Sequence, residues 1–294
     1  GVQPAVGDDP GSPSRIFGAL EANGEVYLVN QNGFLFGQGS RVQVGSLLAS
    51  SLDLTDDVFR AGILAPELLQ SRRPALASDG RASVVDSDGN PVLGPDGLPL
   101  EVQIQVEQGA TLSTNAPGGR ILLASRTIDN AGRIEANDGQ VVLAAGEKVY
   151  LQASSDPSLR GILVEVDAGG EAWNRVTGQI GAARGNVTVV GLAVNQLGRI
   201  SATTSVAANG SVRLLARDTV QVQVQGADEV TLLPQRAGHV ELGSGSVTEV
   251  LPEMDDPATA VDDQRQPASH IEIAGREINF RSGSHTAAAG GRID

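Results

Sequence analysis

Cysteine is absent from the 294-residue sequence, which excludes a disulfide framework and thiolate metal sites. Aromatic side chains are scarce, at 3% of the chain, so a core must be built from small and branched aliphatic residues. No apolar run approaches the roughly 18 residues that cross a bilayer as a helix, and the chain is expected not to span a membrane. The opening stretch from Gly1 to Pro10 has neither the basic region nor the apolar segment of an export signal. The expectation is a mature or trimmed chain, with any such signal upstream. Basic residues are outnumbered 21 to 35, for a formal net charge of −14, and are scattered along the chain. That balance opposes binding to phosphate backbones, so nucleic acid is not an expected partner.

What the sequence does have is a hydrophobic fraction of 40% and 37 glycines, a combination that favours stacked strands joined by many turns over a helical bundle. It also has an internal repeat. Gly132-Arg-Ile-Glu-Ala136 leads through Asn137-Asp138-Gly139 into Val141–Leu143, and then through Gly146 into Val149–Leu151. Gly178-Gln-Ile-Gly-Ala182 and Gly198-Arg-Ile-Ser-Ala202 repeat the pattern, the last continuing into Val212–Leu215 and the alternating Val220-Gln-Val-Gln-Val224. Weaker copies begin at Gly18 and Gly109, and Gly291-Arg-Ile293 opens another. A spacing of about 20 residues or its multiple suits one rung of a three-sided solenoid. Alternation sends Val inward and Gln outward, so Val142, Leu214 and the valines of 220–224 are expected in the lumen. Gly and Asn are expected where bends need positive φ. The fold class predicted is all-β, a right-handed parallel β-helix. A leucine-rich horseshoe lacks its Leu-x-x-Leu-x-Leu signature here, and a propeller or sandwich would need hairpin turns at most junctions.

Three stretches break the period and are expected to lie over the solenoid. Residues 53–74 combine Thr55-Asp56-Asp57, a helix N-cap pattern, with apolar residues from Val58 to Leu68. Residues 82–105 contain two Asp-Gly turns and read as a β-hairpin; the Asp86, Asp88, Asn90 alternation lacks the glycine and glutamate positions of a calcium loop. Residues 251–266 are acidic and proline-bearing and read as a solvated loop.

No catalytic set, metal site or cofactor is implied. His239, His270 and His285 lack metal-binding spacing and are expected on the surface or in loops. The acids Glu135, Glu147, Glu165, Asp167 and Glu171 are expected at ordinary solvent-facing positions, with no pair suggesting glycosidase chemistry. Trp173 is expected to pack beneath a rung edge, with stacking on a sugar as the alternative.

The stretch from Gly18 to Gly37, Gly-Ala-Leu-Glu-Ala-Asn-Gly-Glu-Val-Tyr-Leu-Val-Asn-Gln-Asn-Gly-Phe-Leu-Phe-Gly, resembles the secretion domain of two-partner secretion exoproteins of the filamentous haemagglutinin and high-molecular-weight adhesin type. The family's Asn-Pro-Asn-Gly-Ile stands here as Asn30-Gln31-Asn32-Gly33-Phe34, followed by Leu48-Ala-Ser-Ser-Leu-Asp53. Gly139–Leu151 resembles the adhesin branch. The resemblance implies residues 1–75 as the later part of the secretion domain, 76–108 as an extra-helical hairpin insertion, and 109–294 as continuing rungs of one solenoid. It implies recognition at Asn30, Gln31, Asn32, Gly33 and Phe34 by an outer-membrane pore-forming transporter. The location implied is the outside or surface of a Gram-negative cell, reached through the periplasm. The function implied is non-enzymatic adhesion to host-cell glycans, a receptor or matrix polysaccharide. The alternatives are a polysaccharide lyase or glycosidase on the same fold and a haem-acquisition exoprotein of the same export family.

Overall fold

Branched residues placed at every second position favour strands, and among the described residues every regular element of the computed structural model is a strand. The structure describes residues 12–55, 73–154, 156, 159–225, 229–255 and 267–294. The helix expected within 53–74 and most of the acidic loop at 251–266 lie outside them.

Each circuit of the chain lays down three short strands. The first rung is β1 (Ser14–Ile16), β2 (Ala19–Glu21) and β3 (Glu25–Val29); the second is β4 (Phe34–Phe36), β5 (Arg41–Val44) and β6 (Ser46–Ser50). After the short β7 (Asp53–Leu54) and β8 (Leu76–Ala77) come β9 (Gln103–Val106), β10 (Thr111–Thr114) and β11 (Arg120–Ser125). The fourth rung is β12 (Thr127–Asn130), β13 (Arg133–Glu135) and the start of the long β14 (Gln140–Ala153), whose end pairs with β15 (Ile162–Gly169). Then follow β16 (Glu171–Asn174), β17 (Gln179–Ala182) and β18 (Asn186–Gly191), and next β19 (Ala193–Gln196), β20 (Arg199–Thr204) and β21 (Ser211–Gln225). After β22 (Glu229–Arg236), the last two rungs are β23 (His239–Leu242), β24 (Val247–Pro252), β25 (His270–Ala274), and β26 (Glu277–Phe280), β27 (His285–Ala288), β28 (Arg292–Ile293). Equivalent strands stack in parallel into three sheets: sheet A from β1 to β26, sheet B from β2 to β27 and sheet C from β3 to β28. The result is a right-handed parallel β-helix.

The lumen is lined by one residue in two. Ile134, Ile180 and Ile200 of the repeat stand in register on sheet B, and Val141, Val187 and Val212 on sheet C, all buried. The repeat's glycines have a different cause from the one expected. Gly132, Gly178 and Gly198 are not among the residues at positive φ; a Cβ on Gly132 would lie 2.6 Å from the Glu107 carbonyl oxygen of the preceding rung. Close rung stacking, rather than backbone sign, demands glycine there.

Not all of the lumen is apolar. Asn130, Asn174 and Gln196 hold equivalent positions on β12, β16 and β19 and are buried. Asn130 Nδ2 donates to Asn174 Oδ1 (2.8 Å), and Asn174 Nδ2 donates to Gln196 Oε1 (2.7 Å). The ladder ends where Gln196 Nε2 donates to the Gly198 and Val247 carbonyls. Each side-chain amide of this ladder thereby finds a partner on a neighbouring rung.

A second core lies outside the helix. Leu48, Leu122 and Val142 point outward from sheet C and pack with Val149, Leu151, Val164 and Leu76 of an antiparallel layer formed by β7, β8, the end of β14 and β15. Val142 is therefore an outer-core residue, not a lumen residue, while Leu214 does face the lumen. The strand runs on through Gly146 without the expected turn, because pairing with β15 takes over where pairing with β18 stops. Likewise, Val220, Val222 and Val224 leave the solenoid and pair with Pro234, Leu232 and Val230 of β22 in an antiparallel ribbon. Val224 is 46% exposed. Alternation alone cannot distinguish a lumen strand from an outlying ribbon.

The arm at 82–102 consists of three short extended stretches joined by two turns, with Gly89 and Gly97 at positive φ. Val84 N–H donates to the Leu100 carbonyl, Leu100 N–H to Val92, and Val92 N–H to Val84, a closed triangle of backbone bonds, and Val84 is fully buried. Two eight-residue units, Val84–Pro91 and Val92–Pro99, supply this geometry. Asp86 caps its own turn, accepting from the N–H groups of Asn90 and Asp88, and those bonds hold its carboxyl below the usual range. The arm ends at Val102, since Gln103 already belongs to β9.

Candidate functional site

The stretch Asn30 to Phe34 is the corner that carries the chain from the first rung into the second. Gly33 N–H donates to the Asn30 carbonyl at 2.8 Å, closing a turn, and the Asn32 N–H donates to Asn30 Oδ1 at 2.9 Å. Asn side chains suit such corners because they mimic a backbone acceptor. The Asn30 amide also donates to Ser14 Oγ at 2.8 Å, tying the corner to the strand beneath. Gly33 sits at φ +89°, and a Cβ there would lie 2.1 Å from the Gln103 carbonyl oxygen of the third rung. Phe34 is buried between Ser14 and Ile104 in the stack, its ring 6.2 Å from that of Phe36. Gln31 accepts from the Arg81 guanidinium, which Asp79 also holds. The structure thus brings all five residues into one corner and joins it to three rungs and to the base of the arm.

The acids noted in the sequence have mostly ordinary surface roles. Glu135 pairs with Arg133, Glu147 with Arg126 and Asp167 with Lys148, while Glu171 accepts from Trp173 Nε1 at 3.1 Å. Trp173 lies on the outer face of sheet A under the guanidinium of Arg175, 4.2 Å from the ring centroid, and Arg175 is itself held by both oxygens of Asp129. At the corner after sheet B, Asp138 and Arg184 stack on consecutive rungs at positive φ, and hydrogen bonding from Arg184 lowers the Asp138 carboxyl.

Glu165 departs from expectation. It is buried on β15, where Arg217 Nε approaches Glu165 Oε2 to 3.4 Å, near enough for an ion pair but not aligned as a hydrogen bond. Arg213 and Glu272 complete the cluster, at 3.5 Å from each other. Desolvation pushes the Glu165 carboxyl up to about 7, opposed by Arg217 and reinforced by Glu272. The pairing of β14 with β15 that buries it has no local sequence signature. His270 also differs from expectation: it is buried on β25, with Nε2 2.8 Å from Asp294 Oδ2. Among the described residues, no three His, Asp or Glu side chains group to hold a metal, and no helix is long and apolar enough to cross a membrane.

The fold is thus a parallel β-helix solenoid whose first two rungs are joined by an Asn-x-Asn-Gly corner. The chain belongs to the two-partner secretion exoproteins, matching the TPS secretion domain over residues 9–290. Membership places the chain among the secreted exoproteins of Gram-negative bacteria and implies an outer-membrane transporter as partner. Two curated relatives from Haemophilus influenzae, the second from strain Rd, are each described as heme/hemopexin-binding protein. They are 50% and 48% identical to this chain over 44 residues, which is 15% of this chain and 5% of each relative's length.

Proposed function

We propose that Asn30 to Phe34 form the stretch through which the outer-membrane transporter recognises this chain, and that the exported protein is an adhesin for host-cell glycans, a receptor or matrix polysaccharide. The observation that supports the first half is the consumption of the corner in packing. Asn32 is 8% and Phe34 4% exposed, and Asn30 is bonded to its own turn and to the preceding rung. A folded corner offers a partner little, so recognition acts on the unfolded chain before these rungs close. Each rung then templates the next after exit. The adhesive half is supported by the outward face of sheet B, where Arg41, Thr111, Arg133, Gln179 and Arg199 stand in register as a polar ladder. The pairing of the surface acids with neighbours supports a non-catalytic role.

The test is export of an epitope-tagged parent protein in cells with and without the transporter gene. Extracellular protein is expected only with the transporter; equal secretion in both would overturn the proposal. Asn32→Ala is expected to reduce secretion more than thermal stability. A haem-acquisition role is the second reading, favoured by the names of the two relatives. Their match is confined to 44 residues, so it supports common export more than common cargo. A saturable shift of the Soret band on titrating the purified chain with haem would favour it.

A further inference from the structure

The corner between sheets C and A forms an open groove along the solenoid axis. Two cavities, of about 580 Å³ and about 480 Å³, adjoin there and share Gly238 and His239. Strand register explains its line. Thr127, Glu171, Ala193, His239 and Glu277 occupy the same position at the heads of five successive strands of sheet A. At about 4.8 Å per strand they span ~19 Å. The floor is bare peptide for a packing reason: a Cβ on Gly170 would lie 1.8 Å from the Arg126 carbonyl oxygen, and one on Gly238 1.8 Å from that of Leu192. Residues Ala82 and Val102 of the arm form part of the first cavity's wall.

The lining mixes carboxylates (Glu101, Glu171, Glu277) with cationic or imidazole donors (Arg126, Arg276, His239), and Leu192, 36% exposed, supplies an apolar contact. Trp173 stands two residues from Glu171 on the same outer face and holds its carboxylate. Carboxylates in the groove and a net charge of −14 disfavour a polyanion. An extended peptide would seek a free strand edge to pair with, whereas this floor lies between strands already paired on both sides. A compact apolar ligand would need an enclosed apolar pocket. Sugar hydroxyls both donate and accept, which matches a groove lined by both acceptors and donors.

We propose that this corner groove binds a linear, uncharged polysaccharide lying along the solenoid axis, a few sugar rings in contact at once. The proposal rests on the adhesin reading and places one attachment site within the secretion module itself. The test is titration of the purified full chain with fluorescently labelled cellohexaose, chitohexaose and maltohexaose, with hexagalacturonate as the acidic comparison. Saturable binding of at least one neutral oligosaccharide is expected, weakened at least tenfold in the Glu171→Ala, His239→Ala double variant at an unchanged melting temperature. If the double variant melts early, Glu171→Gln alone is the deciding variant, with weakened binding again expected. Binding of none of the three, binding only of the acidic probe, or undiminished binding in the deciding variant would overturn the groove. Because export is read separately through transporter dependence, failure of the groove leaves the export proposal standing, and loss of export leaves the titration interpretable.

Discussion

Glu165 makes stability depend on pH in a direction opposite to that of most surface carboxylates. Its side chain is 5% exposed, and its carboxyl is raised from 4.5 to about 7, mainly by desolvation. In the folded chain it keeps its proton up to near neutrality, while in the unfolded chain it ionises near 4.5. Between those values the native state binds more protons than the unfolded state, so stability falls as pH rises. The contribution is complete below 4.5 and gone once pH passes about 7. From pH 5 to pH 8, with roughly 1.4 kcal/mol per tenfold change in proton binding, this site loses roughly 2 to 3 kcal/mol. A loss of that size corresponds to a melting temperature lower by on the order of 5 °C. The Glu165→Gln variant carries a neutral group of the same shape throughout. Thermal melts of both proteins at pH 5 and pH 8 isolate the site, because every other titration is common to the pair. The variant is expected to lose less stability than the wild type over that interval. If both fall equally, the desolvation argument is wrong and Arg217 keeps Glu165 ionised throughout.

Gly33→Ala forces a side chain into positive φ and against the Gln103 carbonyl oxygen; a loss of about 3 kcal/mol or more is expected in urea unfolding, and an unchanged midpoint would refute the corner geometry. Leu214→Asp places a charge in the lumen and is expected to prevent stable folding. Val142→Asp, on the outer core, is expected instead to release the β14–β15 hairpin, read as protease cleavage within 146–169 while the rungs stay protected. Identical behaviour of these two variants would count against two separate cores. Asn174→Ala leaves Asn130 and Gln196 each short of a partner inside the lumen, with an expected cost of about 2–4 kcal/mol by denaturant titration.

The repeat Gly-x-Ile-x-Ala was enough to predict the solenoid, because one buried Ile per circuit and one glycine where rungs touch are purely periodic demands. The corner at Asn30–Phe34 was legible for the same reason: its residue types answer to a local turn. Less legible were Glu165, Val142 and the ribbon at Val220–Val224. In each case the residue pattern matches a rung, and the difference lies in which strand comes alongside. The lumen ladder of Asn130, Asn174 and Gln196 is not evident from residue type alone, although the three stand in register on successive rungs. A polar residue two positions after a buried aliphatic is an available signal, and its meaning depends on which face the register turns inward.

By itself the sequence determined the strand period, the three-sided rung and the corner joining the first two rungs, since these follow from side-chain alternation and backbone preference acting over a few residues. Only the tertiary structure decided which strands leave the solenoid, where the second core forms and which acid is buried. Those outcomes depend on pairing between segments many residues apart: the end of β14 can satisfy its backbone groups with β15 and bury its valines against sheet C at once, and nothing local in either segment records that the other will be there.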